Sequence, residues 1–296
     1  MLSATSRLRP LVLAVAGALA LGLLAGCGSE QALPVPTGEP AAATPTSPPR
    51  STPTPPSGAP TSTPAPQDPT PLAPIPPVAR PPLDLYCGQA AVEARIGDQT
   101  RRAIALTFDA GADRGYTSDI LNTLAQQGVT AAFGLTGVWA EQNPGLVSAI
   151  AAGGHLIINH SYGHPSFTGF STGTAPLTRD ERIDQLQHAD AVIRSITGTS
   201  TRPYFRPPFG DLDQSVLCDI YAAGYTYAIN WTIDSGGWAG AGAGEIAQTV
   251  LSRARPGAIV IMHVGSESQD AAALPEVIAG LRAAGYELVA LPDLLP

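Results

Sequence analysis

Short apolar runs recur along the last two-thirds of the chain, and most of them stop on a side chain capable of chemistry. IALTFD ends at Asp109, HLIINH at His160 with His164 four residues on, YFR at Arg206, YAINWTID at Asp234 and IVIMH at His263. Each run is brief and continuous, the pattern of a parallel strand covered on both faces. The spacing predicts strands near 102–109, 129–136, 155–160, 203–206, 225–234, 258–263 and 286–291. Helices are predicted between them at about 117–127, 144–152, 178–197, 213–223, 244–254 and 271–284. Thr178 before Arg-Asp-Glu reads as an N-cap, Gly198 closes the same helix, and Gly128, Gly153, Gly224 and Gly285 read as C-cap glycines. About seven parallel strands alternating with helices predict an α/β barrel. In such barrels the carboxyl ends of different strands deliver their residues to one face, whereas an open sheet gathers its ligands at one switch point.

The segments ahead of this domain are of two other kinds. Arg7 and Arg9 precede an apolar run from Leu11 to Leu24, which ends in Leu-Ala-Gly-Cys at 24–27. A basic start, a short apolar core and small residues before a cut describe a secretory signal, too short for a spanning helix. Cysteine after Leu-Ala-Gly resembles the bacterial lipobox. Residues 1–26 are therefore expected to be a lipoprotein signal and Cys27 the lipidated first residue of an extracytoplasmic, membrane-anchored protein. The plainer alternative is an ordinary signal with an incidental cysteine. Residues 27–83 hold nineteen of the thirty prolines, mixed with Thr, Ser and Ala. Such a stretch buries too little surface to offset its conformational entropy and is expected to be an extended tether. Its reach is on the order of 150 Å at about 3.1 Å per residue. Residues 84–296 are left for one globular domain.

Composition removes several functions. The formal charge of −8 leaves no basic stripe for phosphates, so nucleic acid is not an expected partner. All sixteen basic residues are arginine, which excludes a Schiff-base lysine and the lysine of a nucleotide-binding P-loop. Cys87 and Cys218 are either one disulfide, allowed in an extracytoplasmic compartment, or two unrelated buried thiols.

The remaining candidates form a constellation. His160 and His164, on a turn after a strand, can aim two imidazoles at one cation, although a lone histidine is more often structural. Asp109 could bind metal or take a proton from water, or be a turn aspartate before Ala110-Gly111. Arg206 can hold that carboxylate by a bidentate pair, or be a buried structural ion pair. His263 is a candidate general acid or a core histidine. Trp139, Tyr162, Phe167, Phe170 and Trp238 suit stacking on sugars or packing in loops.

Thr107-Phe108-Asp109, His160-Ser161-x-x-His164-Pro165, Arg206-Pro207-Pro208-x-Gly210 and Ile261-Met262-His263 resemble, in order and spacing, the motifs of the NodB-homology polysaccharide deacetylases, carbohydrate esterase family four. The resemblance spans roughly residues 100–296. It implies a distorted (β/α) barrel and a divalent metal, typically zinc. It also implies removal of acetyl groups from a polysaccharide, with peptidoglycan or a chitin-like glycan as the partner. Asp109 would match the catalytic base, His160 and His164 the metal ligands, Arg206 the residue orienting the base and His263 the acid. The Phe209 amide would match an oxyanion donor, and Tyr162, Trp238 and Asp234 would border the substrate.

Two positions depart from the family pattern. A second aspartate that ligates metal is replaced by Ala110, for which Asp113 is the nearest substitute, unless it is a loop aspartate capping the next helix. An aspartate that tunes the acid histidine is replaced by Gly237, and Asp234 is the candidate to take over that task. Besides a working deacetylase, the departures admit a glycan-binding module with an impaired site. A different hydrolase on a similar barrel, such as a cyclic-imide amidase, is the third reading.

Overall fold

The structure is a computed structural model that describes residues 87–295. The signal peptide, the lipidated Cys27 and the tether expected from the sequence lie outside the described residues. The chain runs β1 (Val92–Ala94), β2 (Ala103–Ala110), α1 (Thr117–Gln127), β3 (Ala132–Leu135), α2 (Gly137–Gln142), α3 (Pro144–Ala152) and β4 (Leu156–Asn159). It continues through α4 (Arg179–Thr197), β5 (Tyr204–Phe205), α5 (Gln214–Ala222), β6 (Tyr227–Ile229), β7 (Ile233–Asp234) and α6 (Ala243–Arg253). The last elements are β8 (Ala258–His263), α7 (Asp270–Ala283), β9 (Glu287–Leu288) and α8 (Leu291–Leu294).

The strands form one parallel sheet in the order β1-β6-β5-β4-β3-β2-β8-β7, with β9 added to β2. The result is the expected distorted barrel, incompletely closed. Between the two ends of the sheet scattered contacts bridge the gap, among them the Thr232 hydroxyl to the Arg95 carbonyl and the antiparallel bridge Ile96–Ala258. The predicted 225–234 strand is two strands, because the chain leaves β5 at Asn230 and crosses to pair with β8. Strand β1 has one buried residue in three and no apolar run to betray it. The last predicted strand shrinks to two residues and gives way to α8.

Burial explains the continuous strands: all eight residues of β2 are buried, between a core under α1, α6 and α7 and an inner core against β8 and the final helix. A third cluster joins Phe167, Phe205, Val216 and Tyr225 under α4 and α5. The Thr178 side chain caps α4, with Glu181 reaching back to complete a capping box, worth roughly 1 kcal/mol. Gly128, Gly198, Gly224 and Gly285 take the left-handed conformation; Gly153 caps α3 as expected but is right-handed, and the positive φ falls on Gly154 (φ 74°). Cys87 and Cys218 form a disulfide with Cα atoms 5.9 Å apart, tying the first described residue to α5.

Candidate active site

The register of the sheet assembles the site. Asp109 on β2 is the direct partner of His263 on β8 and of Gly134 on β3. Leu135 pairs with Asn159, which pairs with Phe205, so His160 and Arg206 each leave the barrel one residue beyond that level. Five side chains far apart in sequence thus meet at the carboxyl-end mouth. Asp109, His160, His164 and His263 line a cavity of roughly 700 Å³ with Phe209, Trp231, Asp234 and Trp238 around it, while Arg206 is fully buried behind Asp109.

Arg206 is fully buried and fixes the centre. Its guanidinium donates to Asp109 Oδ1 at 2.8 Å, to Thr107 Oγ1 at 2.8 Å and to the Ile229 carbonyl at 3.1 Å. Thr107 in turn donates to the Val260 carbonyl at 2.7 Å, so the arginine is itself held. A Cβ on Gly134 would stand 2.3 Å from Asp109 Oδ1, so the glycine makes room for the carboxylate. Burial alone pushes the Asp109 carboxyl up; Arg206, His160 and His263 outweigh it and hold Asp109 below the usual carboxylate range. Asp109 therefore stands ionised with Oδ1 occupied and Oδ2 turned to the imidazoles.

The histidine pair is built on a strained turn. Ser161, His164 and Phe209 have φ of 64°, 62° and 61°, and among the described residues they are the only non-glycine residues with such backbone. Each costs on the order of 1–3 kcal/mol, offset at the turn by Asn159 Oδ1 on the Ser161 amide and Ser161 Oγ on the His164 amide, both at 2.9 Å. His160 Nδ1 is 2.9 Å from the Arg206 carbonyl, which makes it the protonated nitrogen and leaves Nε2 bare, 3.5 Å from Asp109 Oδ2. Burial lowers the His160 pKa against the pull of Asp109, and lowers that of His164, helped by His160, to about 4. Both rings are thus neutral at pH 7. A bare imidazole nitrogen facing a carboxylate oxygen invites a cation between them, and the carbonyl behind His160 is the outer partner a metal-binding histidine uses. Among the described residues no group of three or more His, Cys, Asp or Glu side chains is arranged to hold a metal. The donor set fits a divalent cation with two imidazole ligands beside Asp109, one protein ligand fewer than usual.

Several expectations are corrected. Asp113 does not join the imidazoles: its carboxylate accepts the Ser266 amide at 3.0 Å and the Ser266 hydroxyl, and its carbonyl accepts the Trp139 indole at 2.7 Å. Ala110 is buried in the outer core. Tyr162 is not a cavity residue; it stacks on His188 at 3.8 Å and donates to Glu141 at 3.0 Å, over the flat surface that Gly137 provides. Trp139 and Phe167 are fully buried, whereas Phe170, Trp238 and Phe209 are 72%, 64% and 48% exposed. Asp234 lines the cavity, but its carboxylate holds the Trp238 indole at 3.2 Å and the Gly236 amide at 2.9 Å. The carboxylate beside His263 is that of Asp270, which is buried and accepts the His263 amide at 2.8 Å. Burial pushes the Asp270 carboxyl up, and the Ser268 hydroxyl and His263 amide pull the other way. Thr107, Gly134 and Asp270 are site residues the sequence reading passed over. Asp270 stands one residue ahead of the predicted 271–284 helix, where no motif singles it out.

A parallel barrel whose mouth joins a buried arginine–carboxylate pair to neutral imidazoles is the site of a hydrolase. Residues 96–228 match the family described as polysaccharide deacetylase. The chain is 32% identical over 202 residues to the peptidoglycan-N-acetylglucosamine deacetylase of Bacillus cereus, covering 67% of this chain and 70% of that one. It is 32% identical over 218 residues to a chitooligosaccharide deacetylase of Bradyrhizobium, covering 69% and 96%. The structure of BA3943 from Bacillus anthracis, described as a family-four pseudoenzyme, superposes with a TM-score of 0.64 at 28% identity over 70% of each chain. The chain belongs to the polysaccharide deacetylases of the NodB-homology type, carbohydrate esterase family four.

Proposed function

We propose that the chain is a metal-dependent deacetylase that hydrolyses the N-acetyl amides of an envelope glycan, peptidoglycan first. The observation that carries this reading is the Asp109 carboxylate: held ionised, with one oxygen fixed by Arg206 and the other open to the cavity. His160 and His164 would hold the divalent metal, zinc by their chemistry. When bound, the metal supplies polarisation of the acetyl carbonyl. Asp109 Oδ2 takes the proton of the attacking water as the new C–O bond forms. The Phe209 amide is the donor offered to the developing oxyanion. His263 gives a proton to the departing nitrogen as the C–N bond breaks, leaving acetate and an amine. Phe209, Trp238 and Phe170 offer exposed rings to neighbouring sugars.

The sequence supports a place for this chemistry as well. A lipid on Cys27 and the proline-rich tether would let the domain work in the cell wall at a distance from its membrane. Two relatives at this level of similarity are named for peptidoglycan and chitooligosaccharide, and the two glycans share the N-acetylglucosamine unit. The test is acetate release from both glycans by the zinc-loaded full chain and by its Asp109→Asn variant. Release by the wild type and loss of at least about 100-fold in the variant are expected. Equal release by both would remove Asp109 from the mechanism.

A further inference from the structure

Asp270 is the first residue of α7 and has no exposed surface. Its Oδ2 accepts the His263 amide and the Ser268 hydroxyl, each at 2.8 Å, and lies 3.9 Å from His263 Nδ1. Its Oδ1 and His263 Nδ1 are both buried without a hydrogen-bond partner. A buried Nδ1 without a partner is costly, and the Asp270 carboxylate, with Oδ2 3.9 Å away and just beyond hydrogen-bond reach, is an acceptor that a small rotation of the ring would bring to it.

Gly237 shows why this carboxylate is where it is. A Cβ built on Gly237 would meet Asp270 Oδ2 at 2.3 Å, Ser268 Oγ at 2.5 Å and Asp270 Cγ at 2.7 Å. Gly237 is not among the glycines with positive φ, so its backbone does not demand glycine. What demands it is the Asp270 side chain, which occupies from α7 the space that a side chain at 237 would fill. The neighbouring Asp234 is engaged with the Trp238 indole.

We infer that Asp270 is the positioning residue for His263, holding its Nδ1–H so that Nε2–H faces the scissile nitrogen, and that Gly237 and Asp270 are two halves of one exchange. This rests on the deacetylase reading above. In the step concerned the C–N bond breaks, its electron pair goes to nitrogen, and the proton of His263 Nε2 goes with it. The imidazole is left neutral, with Nδ1–H still on the carboxylate. A carboxylate that merely staples the loop to α7 would not affect proton delivery.

The experiment separates the two by leaving group. An N-acetylated chitooligosaccharide needs its amine protonated, whereas 4-nitrophenyl acetate expels a stable phenolate unaided. In the zinc-loaded full chain, Asp270→Asn should lower kcat on the amide by about 100-fold with little change in KM. The loss on the aryl ester should be at least about thirtyfold smaller. Adding His263→Ala should cost no further amide activity, and Gly237→Asp with Asp270→Ala should regain at least about tenfold over Asp270→Ala alone. Equal losses on both substrates, or multiplicative losses in the double variant, would overturn the inference. Should the variants not fold, the wild-type ¹⁵N spectrum of His263 decides: protonated Nδ1 supports the pairing and bare Nδ1 overturns it. A wild type that cleaves the ester but not the amide overturns the deacetylase reading, and the inference with it.

Discussion

Replacing Arg206 by methionine should produce a large and conditional loss of stability. The side chain is fully buried and makes three hydrogen bonds, one of them to an ionised carboxylate. At a charge separation of about 4 Å and an effective dielectric of about 20, the attraction to Asp109 is roughly 4 kcal/mol. Methionine fills much of the volume but leaves the carboxylate, the Thr107 hydroxyl and the Ile229 carbonyl short of a donor. Breaking a buried pair on one side costs about 3–5 kcal/mol. Without Arg206, burial drives the Asp109 carboxyl up, so the variant also loses its ionised base. Removing the second charge should relieve the damage: Arg206→Met with Asp109→Asn should be more stable than Arg206→Met by about 1–3 kcal/mol. Guanidinium unfolding of the full chain reads both values. A cost below about 1 kcal/mol for the single variant, or additive costs in the double, would refute the reasoning.

Other consequences follow from particular residues. Gly134→Ala should push the Asp109 carboxylate off Arg206, since the new Cβ would sit 2.3 Å from Oδ1; kcat should fall at least about tenfold while the variant remains folded, and unchanged turnover would contradict the packing. The Cys87–Cys218 bridge closes a loop with a sequence separation of 131, so Cys218→Ser should lower stability by about 2–5 kcal/mol, and an unchanged unfolding midpoint would speak against it. His155 Nδ1 accepts the Ala131 amide at 3.2 Å, and burial lowers its pKa from 6.5. Its stabilisation should be full above pH 6.5 and fade as pH falls through the depressed value. The stability gap between wild type and His155→Gln should therefore narrow on acidification; a gap that widens would reverse the sign.

The strands and most helices were legible because burial on both faces writes a continuous apolar run, and caps such as Thr178 mark where helices begin. The convergence of Asp109, His160, His164, Arg206 and His263 was legible because each ends a strand or follows one directly. What was not legible depends on distance in space. Asp113 sits near Ala110 in the chain, yet Ser266 takes its carboxylate. Tyr162 lies between the two histidines, yet the turn that strains Ser161 and His164 sends its ring to α4. Asp270 lies seven residues past His263, and only the fold shows that Gly237 leaves room for it. The break in the 225–234 run is of the same kind: its residues all favour a strand, and the change of partner from β5 to β8 is a property of the sheet.

The proposed site hydrolyses amides although Ala110 stands where a third metal ligand is expected. The most direct measurement is acetate released from N-acetylated chitooligosaccharide by the full chain, first stripped of metal with a chelator and then given zinc. No acetate is expected from the stripped chain, and many turnovers once zinc is restored. Glycan binding without acetate under either condition would contradict this, and would make the chain a binding module built on a deacetylase barrel.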